Sequence, residues 1–250
     1  ETVKNISELK HEIARACLEK LNITHSIEIA SMADIPAGIG LGSSSAYTVG
    51  LLHALHTLKR DYLPLQDLAE EACEVEIDIL QKPMGKQDQY LAAFGGFLVM
   101  EIFHDGYVEV SNAKINNETI DLLRKNLKIF YTGVERKNHN ILKSQDQSTT
   151  KSDKQVLDSL HYIKNSGYKI LEIVESGNIN QLGEMFDEVI EDPGVLKFAG
   201  EKPVIKTIEW GSHVDKGKYM YWIPLNKTGK KIAKRVLNFE SNEYPKPKLS

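Results

Sequence analysis

Pro36-Ala37-Gly38-Ile39-Gly40-Leu41-Gly42-Ser43-Ser44-Ser45-Ala46 is the stretch around which the chain is read. Three glycines at every second position run into three serines. Before it, Ser26 to Met32 sets Ile27 and Ile29 on one side and predicts a strand; after it, the apolar run Ala46 to Leu58 predicts a buried helix. A glycine loop between a strand and a helix N-terminus lets the backbone take positive φ and approach a ligand closely. The helix adds free N–H groups and the positive end of its dipole, which favour an anion. The serine hydroxyls can add hydrogen bonds or a metal ligand. Phosphate binding is one reading; a plain loop with a serine N-cap is the other. The two commonest nucleotide loops, G-x-x-x-x-G-K-[ST] and G-x-G-x-x-G, are absent.

The composition narrows the class. The 250 residues carry a formal net charge of −4 and are 41 % hydrophobic, as expected of a soluble globular protein with one or two domains. A mildly acidic balance speaks against a nucleic-acid partner. No apolar run approaches the roughly 20 residues that span a bilayer. Glu1 to Lys10 is polar and lacks a signal-peptide core, so a cytoplasmic protein is expected. Cys17 and Cys73 lie in helical patterns and are expected to be buried free thiols, too few for a cysteine metal site.

The loop P-A-G-I-G-L-G-S-S-S-A resembles the second signature motif of the GHMP kinases, in which it wraps the ATP phosphates. A second tract, Gly85-Lys86-Gln87-Asp88-Gln89-Tyr90 with Phe94-Gly95-Gly96, resembles the corresponding tract of the heptose-phosphate kinases within that family. The resemblance implies an α+β fold of two domains, the first incomplete, with residues 1–125 the remainder of an ATP-binding domain and 126–250 the C-terminal domain. It implies ATP and Mg²⁺ as cofactors and a sugar phosphate as substrate, phosphorylated at a hydroxyl, with the anomeric position of D-glycero-D-manno-heptose 7-phosphate the best match. Pro36, Gly38, Gly40, Leu41, Gly42, Ser43, Ser44 and Ser45 would hold the nucleotide. Ser44 matches the Mg²⁺-linked serine, with Ser43 and Ser45 as alternatives. Glu76 sits near the separation at which the family places its Mg²⁺-binding glutamate, and Asp88 matches the residue assigned as base. Another sugar 1-kinase, or a truncated non-catalytic nucleotide-binding relic, are the competing readings. A homo-oligomer is allowed.

The residues themselves permit plainer roles. Leu65 to Leu80 predicts a helix striped by Leu68, Ala72, Val75 and Ile79, with Glu70, Glu74 and Asp78 pointing away and Glu76 near the stripe's edge. Glu76 is then either a solvated acid or a carboxylate held at a cleft. Asp88 either caps a short helix, Gln89 to Ala93, or meets a substrate.

Elsewhere, Ser7 to Leu21 predicts a helix capped by Ser7, and Phe97 to Phe103 with Tyr107 to Ser111 a hairpin turning at His104-Asp105-Gly106. Leu127 to Gly133 predicts a strand, followed by a helix entry bearing Arg136, Lys137, His139 and Lys143, cations for a basic face or for a substrate phosphate. Val156 to Ser176 predicts a helix that Ser166-Gly167 interrupts, and Ile179 to Glu191 another. The third glycine-rich motif of the family is missing from its expected place, Gly194 to Lys218. Tyr219 to Ile223 and Lys227 to Phe239 resemble the strand and helix that follow it.

Overall fold

The computed structural model describes residues 1–24, 26–33, 41–127, 149, 154–191, 203–209 and 218–224. The chain falls into two compact units. The first is built on Glu1–Asn112 and the second opens at Ala113.

The first unit is helical with one hairpin. It begins with a single 3-10 turn, Ile6–Glu8, and then α1, Glu12–Lys20. Ser7 is therefore not the cap expected of it. Leu9 is extended (φ −67°, ψ 123°) and separates the two pieces, and His11 caps α1, its Nδ1 accepting from Ala14 N at 3.2 Å. Residues 26–33 form no strand, contrary to the alternating pattern. A strand exists only through a partner's hydrogen bonds, and no described residue supplies them. Ile27 is 37 % exposed and Met32 fully so.

The apolar run after the glycine loop forms α2, Ser43–Lys59. Its face of Val49, Leu52 and Leu55 packs with Ile13, Cys17 and Leu21 of the α1 segment and with Leu68, Ala72 and Val75. Leu52 is completely buried, a contribution of about 1.5–3 kcal/mol. The helix α3, Leu65–Cys73, runs on without a break into a π-helical turn, Glu74–Ile79, where Leu80 N donates to Val75 O at 3.0 Å, an i→i−5 bond. Then follow α4, Gln87–Phe94, and an antiparallel hairpin, β1 Leu98–Ile102 and β2 Val108–Asn112, in register from Leu98↔Asn112 to Ile102↔Val108. Its turn is the expected one: Asp105 Oδ1 accepts from Tyr107 N at 3.0 Å. Tyr90, Val108, Ala69 and Cys73 form a second buried cluster that seats α4 on the hairpin and α3.

The second unit holds α5, Asn117–Asn126, α6, Lys154–Ser176, and α7, Ile179–Glu191. Helix α5 is absent from the pattern reading, although Asn116 starts it with a side-chain cap to Thr119 N at 2.8 Å. Helix α6 is continuous through Ser166-Gly167. Ser166 Oγ bonds back to Tyr162 O at 2.8 Å within the helix, so the expected interruption does not occur. Gly177, at φ +79°, ends it, and Ile173, Val174, Leu182 and Met185 are the core. Across the place expected of a third glycine-rich motif the backbone forms β3, Pro203–Glu209, antiparallel to β4, Lys218–Pro224. The strand expected at Leu127 to Gly133, the cations Arg136, Lys137, His139 and Lys143, and the helix Lys227 to Phe239 lie outside the described residues. Helices beside antiparallel hairpins make the fold α+β, as the resemblance implies.

Candidate active site

Pro36, Gly38 and Gly40 lie outside the described residues. The described part of the loop starts at Leu41, whose side chain is exposed, and Gly42. Gly42 is the N-cap of α2 in the left-handed region (φ 67°, ψ 19°), with no side chain capping the helix. The serines thus belong to the first turn rather than to the cap. Ala46 N makes the first intrahelical bond, to Gly42 O at 2.9 Å, which leaves the N–H groups of Ser43, Ser44 and Ser45 without helical acceptors. Ser45 is fully buried and its Oγ has no partner among the described residues. A helix N-terminus with spare amide donors and a buried spare hydroxyl suits an anion.

Ser44 points the other way, its hydroxyl donating to Oε1 of Glu76. Glu76 Oε2 accepts from Gln89 Nε2 at 2.8 Å. The carboxylate has no exposed surface and no ion pair among the described residues. It is not the solvated acid that the plain reading allowed. The π turn accounts for its position, because the wider turn rotates Glu76 in from the edge of the apolar stripe. Such turns are frequent at functional sites. Burying a charge with only two neutral donors is costly, and the cost falls when a cation arrives.

Asp88 is half-buried and sits inside the first turn of α4, whose N-cap is Lys86, so it does not cap the helix. No described residue gives its carboxylate a hydrogen bond or a countercharge. It packs against the glycine loop: a β-carbon built on Gly42 would lie 3.3 Å from Asp88 Cγ and 3.5 Å from Oδ2. Loop, Ser44, Glu76 and Asp88 are therefore brought together by α2, the π turn and α4.

A network that spacing alone did not suggest anchors α4. Tyr90 is fully buried and its hydroxyl donates to Glu70 Oε1. Gln66 Nε2 donates to Tyr90 OH and to Val108 O, both at 2.9 Å. Lys86 Nζ reaches Glu70 Oε2 and Gly106 O, each at 2.8 Å. Burial, then the Glu70 acceptor, pushes the Tyr90 hydroxyl far above its ordinary range, so it stays a donor. Glu70, which the helical wheel turned away from the core, is the hub. A separate groove of about 740 Å³ over Lys20, His56 and Glu71 touches none of Ser44, Glu76 or Asp88. Within it Lys20 pairs with Glu74 at 2.7 Å and His56 Nε2 with Glu71 at 2.6 Å. Among the described residues no three metal-ligating acids, histidines or cysteines cluster, and no helix is long and apolar enough to cross a membrane.

The arrangement is a glycine–serine loop at a helix N-terminus beside a buried carboxylate and an aspartate without a partner among the described residues, and known proteins similar to this chain share one family. Residues 8–96 match the family model for the GHMP kinases N terminal domain. The chain is 29 % identical over 160 residues to the D-glycero-alpha-D-manno-heptose 7-phosphate kinase of Campylobacter jejuni, a match covering 64 % of this chain and 47 % of that protein. It is 36 % identical over 86 residues to the mevalonate kinase of Methanothermobacter thermautotrophicus, covering 34 % of this chain and 28 % of that one. The chain thus spans about half the length of the first of these relatives and less of the second. Two solved structures share the fold. A D-glycero-D-manno-heptose 1-phosphate kinase from Bacteroides thetaiotaomicron superposes with a TM-score of 0.60 at 23 % identity, over 92 % of this chain and 68 % of that one. A putative sugar kinase from Campylobacter jejuni gives 0.57 at 20 % identity, over 99 % and 76 %. The resemblance to the GHMP kinases drawn from the glycine–serine loop is borne out.

Proposed function

We propose that the chain acts as an ATP-dependent kinase that phosphorylates a hydroxyl of a sugar phosphate, and we take the anomeric hydroxyl of D-glycero-D-manno-heptose 7-phosphate as the acceptor, one relative being named a D-glycero-alpha-D-manno-heptose 7-phosphate kinase. The observation that carries this reading is the meeting of Ser44 with the buried Glu76, beside Asp88 packed on Gly42. Phosphoryl transfer needs positioning and charge neutralisation more than covalent help. The backbone N–H groups from Gly38 to Ser45 would hold the phosphates, with Pro36 and Leu41 shaping the loop. Ser44 and Glu76 would hold Mg²⁺. Their oxygens fit a hard cation that keeps several waters and takes further ligands from phosphate, so two protein oxygens suffice. Mg²⁺ supplies neutralisation of the charge on the transferring phosphoryl group. Asp88 would orient the acceptor hydroxyl. As that oxygen bonds to the γ-phosphorus and the bond to ADP breaks, the proton passes to the Asp88 carboxylate. A carboxylate is a weak base towards an alcohol, so orientation and late proton acceptance are its work.

The test is product analysis. Purified protein is incubated with Mg²⁺–ATP and a panel of sugar phosphates, and mass spectrometry follows formation of a bisphosphate. A 1,7-bisphosphate from the heptose 7-phosphate is the expected result. Turnover of another sugar would move the reading to a different sugar 1-kinase. ATP binding without turnover of any sugar would leave a nucleotide-binding relic.

A further inference from the structure

Gln89 follows Asp88 directly in the first turn of α4 and is fully buried. Its Nε2 donates to Glu76 Oε2 at 2.8 Å and lies 3.7 Å from Met84 Sδ, while its Oε1 has no partner among the described residues. A buried carbonyl oxygen without a donor is costly. The amide cannot relieve this by turning over, because Oε1 would then face the Glu76 carboxylate. The acid therefore fixes which end of the amide is spare, and the spare end is an acceptor in a region that already has an uncompensated negative charge. What suits such an acceptor is the positively polarised water of a hydrated cation, and Mg²⁺ sheds its waters reluctantly.

Resting on the kinase reading above, we propose that Gln89 is a positioning residue for the divalent cation. Its Nε2 holds the Glu76 carboxylate from the side opposite Ser44, and its Oε1 accepts a hydrogen bond from a water that the cation carries. Because Gln89 and Asp88 are consecutive on one helical turn, the same turn that presents the acceptor-facing carboxylate also steadies the cation site. Groups that orient a metal's ligands typically change its affinity by about 10–100-fold.

The probe is Mn²⁺, followed by electron paramagnetic resonance in the presence of a non-hydrolysable ATP analogue. Gln89→Met keeps the length of the side chain and removes both polar ends. Gln89→Asn keeps the amide and withdraws it from Glu76, and it decides the matter if the methionine variant does not fold. Nucleotide affinity is measured separately in EDTA. The expected result is Mn²⁺ affinity lowered about tenfold or more, with metal-free nucleotide affinity within about twofold of the parent. Mn²⁺ affinity equal to the parent's in a folded variant overturns the proposal while leaving the kinase reading intact. Equal loss of metal and of metal-free nucleotide affinity, with a lowered melting temperature, assigns Gln89 to packing alone and overturns it too. A parent chain that binds no Mn²⁺–nucleotide overturns both.

Discussion

Ser44 and Glu76 lie 32 residues apart in the chain and meet at one hydrogen bond, the serine hydroxyl donating to a carboxylate with no exposed surface. With Gln89 on its other oxygen, Glu76 is held by two neutral donors and by no described cation. Glu76→Gln separates the charge from the shape. A serine hydroxyl accepts as well as donates, and Gln89 can still donate to an amide oxygen, so both contacts survive. The variant alone is expected to melt at or above the parent, because an uncompensated buried charge has gone. Its stabilisation by Mg²⁺–ATP, about 2.7 kcal/mol for a ligand at 100 times its Kd, is expected to be lost. Thermal melts with and without Mg²⁺–ATP read both effects. An undiminished ligand shift would leave Glu76 a structural acid.

Asp88→Asn is expected to lower kcat by about 10²–10⁴-fold while ATP affinity persists. The carboxylate takes no hydrogen bond from any described residue, so the amide disturbs none. ADP release and isothermal titration with ATP measure the two quantities. A parallel loss of nucleotide affinity would remove Asp88 from the acceptor side.

Gly42→Ala tests the seat of the loop. At φ 67° a side chain costs about 1–2 kcal/mol, and its methyl group would press on Asp88 Cγ at 3.3 Å. The expected result is a melting temperature lower by about 2–4 °C per kcal/mol and a reduced kcat, because the carboxylate is displaced. Gly50→Ala, in the middle of α2 with nothing within 4 Å of its added methyl, is the control. It is expected to raise stability by up to about 1 kcal/mol. Equal melting temperatures for the two variants would mean that Gly42 is not strained by a side chain.

The two thiols give a prediction in pH. Burial, then nearby carboxylates, pushes Cys17 and Cys73 up from 9.0 to about 12. The native protein is expected to resist iodoacetamide at pH 8 and to react fully once unfolded, since the thiolate is the nucleophile. A thiol raised on folding contributes stability that is full below 9.0 and lost as pH rises towards 12. Stability measured across that window is expected to fall, and alkylation of the native thiols at pH 8 would contradict their burial.

The parts of the fold set by local pattern were legible. The stripe of Leu182 and Phe186 marks α7 at the bounds found, Ile179–Glu191, and the glycine–serine loop marks the start of α2. What depends on distant partners was not. Ser26 to Met32 alternates like a strand, but pairing is a property of two segments, and one segment's spacing carries no news of the other. The wheel placed Glu76 near an edge because it assumes 3.6 residues per turn, and six residues of π turn are too few to announce a different period. Glu70 and Gln89 were invisible for the same reason as the missing strand. Their roles lie in bonds to Tyr90, Lys86 and Glu76, 13 to 20 positions away.

The π turn also makes chain length between Leu65 and Leu80 a structural parameter. Deleting one residue from Glu74–Ile79 would let i→i−4 bonds close throughout, and the helix itself would be no worse bonded. Its heading would change instead, since each residue beyond the cut swings by about 100° about the axis. Lys82 N, which now donates to Glu76 O at 3.0 Å, would leave the helix on another side and carry the start of α4 with it. A length change harmless to the helix would thus misdirect Asp88 and Gln89 together, so the extra residue works as an aiming device that no single side chain replaces.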